Sequence, residues 1–174
     1  MTSTLAPYRL LALNNAWANA TFYAALKDLP QGAFDAPAPG FFGSLKKTMN
    51  HIWQVDLYYV DALENGGQGR TVYDLPEIDD PAGLGRAQAG VDERFARFCK
   101  DLSEPMLSER RTTLRRHGAV TERIDALILH LAQHQIHHRG QAHVQLQHLG
   151  VAPPQLDEFF LDFDRAPTAE AYFS

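Results

Sequence analysis

The chain has 174 residues, 45% of them apolar and 21% charged, with a formal net charge of −5 at neutral pH. That length suits a single domain, 1–174, able to bury a core of its own, and the 16 basic residues are spread with no basic block, so nucleic acid is not an expected partner. Cys99 is the only cysteine, which excludes an intrachain disulfide and a thiolate metal cluster and leaves it the role of a small buried side chain.

The N-terminal run through Arg9 has no basic segment ahead of an apolar stretch. Asn14, Asn15 and Asn19 interrupt the apolar residues that follow, so neither a signal peptide nor a membrane span is read, and a cytoplasmic location is expected. The first helix is predicted from about Tyr8 to Leu29, ending at Pro30. After a Pro/Gly stretch (Gln31 to Gly40), a second helix begins near Phe41 or Ser44 and continues through Leu63. A third starts after Asp80-Pro81, where Asp caps and Pro suits the first turn, and runs to about Leu102. Leu107 to His117 is basic and reads as an extended or hairpin-like connection. The fourth helix starts at Thr121 or just before it and runs to Leu149, with Gly150 as its stop. Beyond Pro153-Pro154, Leu156 to Phe160 reads as a short extra helix packing its aromatics back. The fold class expected is all-α, a four-helix bundle.

Six of the eight histidines fall between His130 and His148, on the fourth helix. At ~100° per residue, His134 and His138 are ~40° apart around the axis and one turn apart along it, so both imidazoles can reach one ion. His130 lies a turn earlier on nearly the same stripe, and His143 points roughly the opposite way. A His-x-x-x-His pair alone is weak. Its setting, flanked by Ile124, Leu127, Leu131 and Val144, places the stripe toward the interior, where unpartnered imidazoles would cost roughly 1–3 kcal/mol each. A metal ion or a wet cleft removes that cost; a polar network without an ion is the plainer alternative. His51, midway along the second helix, is the one histidine outside the C-terminal half and the candidate third ligand. Gln135 follows His134 where a metalloprotease needs Glu, and the Glu-x-x-His pairs of di-iron bundles are missing, so a mononuclear site with open positions is expected. Imidazole donors suit zinc, nickel, iron or copper, the first three being favoured as the single divalent ion.

With these motifs in view, the chain resembles the DinB/YfiT-like family of bacterial metalloenzymes. The carriers are Asn15-Ala16-Trp17-Ala18-Asn19, Asn50-His51-Ile52, and the most specific, His134-Gln135-Ile136-His137-His138-Arg139-Gly140-Gln141. The resemblance spans nearly the whole chain and implies a four-helix bundle, frequently a homodimer, with metal held by His51, His134 and His138. It also implies a small-molecule substrate and a low-molecular-weight thiol, in reactions of the S-transferase or isomerase type. His130 and His137 become supporting groups, although His137 also suits contact with a neighbouring helix. Geometry assigns Gln141 to orienting an imidazole or a water, Arg139 to a salt bridge or interface away from the ion, and Gly140 to a close helix approach. A metal-dependent enzyme activating a thiol or water is the leading reading. A non-catalytic metal-binding or stress-related protein is the alternative, kept alive because Asp56 and Tyr58 are not phased to assist His51, and a purely helical interaction module is a third.

Overall fold

The structure, a computed structural model, describes residues 4–161. Two of its long helices start by the capping chemistry written in the sequence. Ser44 Oγ accepts the backbone N–H of Lys47 at 3.3 Å and opens α2, Leu45–Glu64. Asp80 accepts from Gly83 N at 2.6 Å and opens α3, Pro81–Lys100, with Pro81 in the first turn, where its missing N–H is not needed. Before them α1 spans Ala6–Ala25 and tightens into a 3-10 turn at Leu26–Asp28. The last helix, α5, spans Ile124–His148 and stops at Gly150, whose φ of +87° suits a residue without Cβ.

Each long helix packs against two others in the cyclic order α1, α3, α2, α5. Phe22, Leu45, Ile52, Leu84, Phe95 and Ile128 are among the fully buried residues between them, and Cys99 is buried in the same core, as expected.

The structure corrects the all-α expectation. Arg110–Arg115 (β1) and Gly118–Arg123 (β2) form an antiparallel hairpin, with Arg111 opposite Glu122 and Thr113 opposite Val120. The hairpin-like reading of the basic stretch therefore holds, but Thr121 belongs to a strand. Its backbone bonds go across the hairpin, and α5 begins only at Ile124. A five-residue helix, α4 (Glu104–Ser108), and a 3-10 segment at Gly69–Asp74 were not expected.

The extra helix expected at Leu156 to Phe160 is not formed; the chain there is irregular, with a turn at Phe159-Phe160. The segment is anchored through one side chain instead. Phe159 is buried with its ring 5.6 Å from that of Trp17, while Phe160 is exposed.

Gly140 is corrected as well. A Cβ placed on it would meet nothing within 4 Å, so no close helix approach requires glycine there. Gly140→Ala is accordingly expected to raise stability by about 0.5–1 kcal/mol, the helix-interior difference between the two residues, as measured by urea denaturation.

Candidate metal centre

On α5 the buried arc carries Ile128, Leu131, Gln135, Ala142 and Leu146, while His134 and His138 are half-buried along one edge of it. The histidine stripe is thus rotated by roughly a quarter turn from the deepest face. The expected flank is correct for Ile124, Leu127 and Leu131 and wrong for Val144, which is 54% exposed. His51 is likewise half-buried, and because α2 packs on α5 it meets the stripe across the helix pair.

The three candidate ligands come together. His51 Nε2 lies 3.1 Å from His134 Nε2. The ring of His138 is 4.6 Å from that of His51 and 4.3 Å from that of His134, centroid to centroid. One nitrogen from each of the three can be chosen so that all lie within 4.8 Å of one another. Two nitrogens bound at ~2.0–2.1 Å to one ion are about 2.9 Å apart at a right angle and about 3.3 Å apart at a tetrahedral one. The observed approach of His51 and His134 falls between these values. Neutral imidazoles sharing one proton can make the same contact, so geometry alone permits the ion without requiring it.

Gln141 does what its phase predicted. Its Oε1 accepts from His138 Nδ1 at 2.9 Å, which leaves the lone pair on Nε2 and sets the ring's orientation. Its amide nitrogen is 3.1 Å from Nε2 of His137, which is exposed and stacks edge-on at 4.8 Å from His138. His130 lies outside the trio, its ring 6.3 Å from His134 and 4.8 Å from Tyr59. His143 donates from Nε2 to the Pro154 carbonyl at 3.2 Å and has no part in the cluster. Among the described residues His134 Nδ1 is buried with no hydrogen-bond partner, so nothing at that nitrogen orients the ring.

Burial keeps these imidazoles neutral. Desolvation, followed by the influence of His138, lowers His51 to about 4, and desolvation lowers His134 to about 3. His138 and His130 are lowered too, burial being the largest cause for each. Protons therefore compete weakly for the site above these values. Loading with zinc is expected to change little between pH 8 and 6 and to be lost as the pH falls toward 4, a profile that metal titrations across this range would read directly.

Two elements of the site were missed in the sequence. Phe42, from the loop ahead of α2, lies 4.4 Å from His51 and 5.5 Å from His138 by ring centroids and covers one side of the cluster. The signal was the Phe41-Phe42 pair between Gly40 and Gly43, both at positive φ. The second is a buried polar network directly behind the histidines. Arg139 donates from Nη1 to Asn15 Oδ1 at 2.6 Å, Gln135 Oε1 at 2.8 Å and Asn19 Oδ1 at 3.0 Å. Asn15 and Asn19 in turn donate to Asp92 at 3.0 Å. Gln88 donates to Asp92 at 3.0 Å and to Asp56 at 2.7 Å, and Gln135 also donates to Asp56. Arg139 does point away from the histidines, as expected, but it reaches the two carboxylates through amides and makes no direct salt bridge among the described residues. All four long helices contribute to this network.

Comparison with known proteins agrees with this architecture. A sequence model of the DinB family matches residues 1–168. The curated Protein DinB of Bacillus subtilis (strain 168) is 23% identical over 155 residues, covering 82% of this chain and 86% of that protein. The fold is shared with two crystal structures. A DinB-like protein from Bacillus cereus ATCC 10987 has a TM-score of 0.62 at 18% identity and covers 81% of this chain and 89% of its own. A DinB-like protein from Bacillus subtilis has a TM-score of 0.59 at 15% identity, covering 80% and 91%. With a whole-length family match and a shared fold, the chain belongs to the DinB family.

Proposed function

We propose that this protein binds one divalent metal ion through His51, His134 and His138 and uses it as an enzyme acting on a low-molecular-weight thiol or on water. The observation that carries the reading is the approach of His51 Nε2 to His134 Nε2, 3.1 Å, from two separate helices, with His138 beside both. An ion in this donor set supplies Lewis acidity, which lowers the pKa of a ligated thiol or water. The chain's own residues do the rest. Three neutral imidazoles offer lone pairs, Gln141 holds His138 in register, and Phe42 shields one side from water. His134, whose Nδ1 has no partner among the described residues, is the ligand whose orientation depends most on the ion. Within this reading the four long helices form a single four-helix-bundle domain, the active species is a homodimer, zinc, nickel or iron is the metal, and the reaction is of the S-transferase or isomerase type.

Metal analysis of the purified protein is the first test, and close to one equivalent of a transition metal per chain is expected. Turnover of electrophiles with small thiols should then disappear on chelation and return on reloading. Protein that takes up no metal overturns the proposal. Protein that is stabilised by metal yet turns over no electrophile supports the non-catalytic metal-binding alternative.

A further inference from the structure

The geometry points to an anion-binding corner beside the candidate metal centre, formed by Arg115, Tyr59 and His130, that takes the carboxylate end of a ligand whose thiol faces the three histidines. This rests on the metal-centre reading and names the ligand chemistry that reading leaves open.

Arg115 is the last residue of β1, and Tyr58 pins that strand to α2 by donating to the Leu114 carbonyl at 2.7 Å. The guanidinium donates from Nη1 to Tyr59 Oη at 2.5 Å, and its central carbon is 5.3 Å from the centre of the Tyr59 ring. Tyr59 stacks edge-on against His130 at 4.8 Å, and His130 is the next ring along from His134. A continuous path therefore joins the guanidinium to the candidate ligands.

Arg115 is half-buried, yet among the described residues no carboxylate lies within 4.0 Å of it. Arg111 and Arg123, on the same hairpin, do have such partners, whereas Arg110 and Arg116 do not. A planar fork of N–H donors held in place by an aromatic ring is suited to a carboxylate. Tyr59 accepts from Arg115 and keeps its own proton to donate; burial raises its pKa, so that proton stays in place at neutral pH. A carboxylate that acts on both Tyr59 and His130 is Glu122, which sits opposite Arg111 in the hairpin.

The test uses the full chain loaded with cobalt(II), whose thiolate charge-transfer band reports thiol binding. Linear ω-mercaptocarboxylates of increasing length are titrated against ω-mercaptoalcohols of matching length. One carboxylate length should bind at least roughly 10-fold more tightly than its alcohol, the size of a charge-assisted hydrogen bond. Arg115→Met should remove that preference while leaving the alcohol affinities unchanged, and Arg115→Lys should retain part of it. Equal binding of the two series by the wild-type chain, or a preference that survives in Arg115→Met, overturns the assignment. Failure of the chain to take up cobalt overturns the metal-centre reading and this one with it, an outcome distinct from loaded protein that shows no carboxylate preference.

Discussion

Arg139→Met is expected to lower stability by about 3–5 kcal/mol at pH 7, the cost typical of removing one partner from a buried charged group. The side chain is buried, and burial lowers it to about 10, so it remains charged at neutral pH. Its loss takes hydrogen-bond donors from Asn15, Asn19 and Gln135 and removes the cation that acts on Asp56 and Asp92. Burial is the main cause that raises both acids, Asp92 to about 6 and Asp56 well above the usual carboxylate range, with Asp92 as the second cause for Asp56. An acid whose folded pKa is raised binds more protons folded than unfolded. Stability from this pair is therefore fully present below about pH 4 and declines as the pH rises through the folded values. Without Arg139 both acids rise further, so the deficit of the variant should be larger at pH 7 than at pH 5. The histidines work in the opposite sense in both proteins and cancel in the difference. Urea melts at the two pH values give the comparison, and a deficit that does not change with pH would show that Arg139 is not the counter-charge.

The second large effect is at the candidate ligands. Saturating zinc at about 1,000 times its Kd is expected to stabilise the wild-type protein by about 4 kcal/mol. His134→Ala should lose most of that gain. Four-ligand zinc sites bind with ~10–16 kcal/mol, so one donor is worth on the order of 3 kcal/mol, roughly a 100-fold loss of affinity. His51→Ala, on the other helix, should behave alike, whereas His143→Ala should bind zinc as the wild type does, because His143 bonds to Pro154 and lies apart from the cluster. Equal zinc-induced shifts in the His134→Ala and wild-type proteins would exclude these residues as ligands. Isothermal titration and thermal melts with and without zinc read the two consequences separately.

The sequence carried the helices and the His134/His138 pair because both are local patterns. His51, on another helix, joined them as the one histidine outside the C-terminal half and through the family resemblance. Caps at Ser44 and Asp80, stops at Pro30 and Gly150, and the four-residue spacing of His134 and His138 are set within one or two turns of chain. The extra helix at Leu156 to Phe160 failed where local pattern met a competing tertiary contact, the seating of Phe159 on Trp17. The rotation of the histidine stripe to the edge of α5 was concealed for a related reason. The buried face of that helix is itself polar at Gln135, Arg139 and Gln145, so apolar periodicity could not phase it. Those polar residues form a pattern of their own. Asn15 with Asn19, Gln88 with Asp92, and Gln135 with Arg139 are each four residues apart on three different helices. Such pairs on one helix face mark a shared interior network, but only the packing shows that the three pairs meet.

The link between Gln135 and Asp56 has a consequence for ion choice. It ties α2 to α5 one residue from His134 and five from His51, so the spacing of the two helices that carry these imidazoles is set when the chain folds, while the His134 ring is left to turn onto an ion. In the proposed site, three imidazole nitrogens at that spacing would favour ions that take nitrogen ligands over large, oxygen-seeking cations such as calcium, however abundant these are.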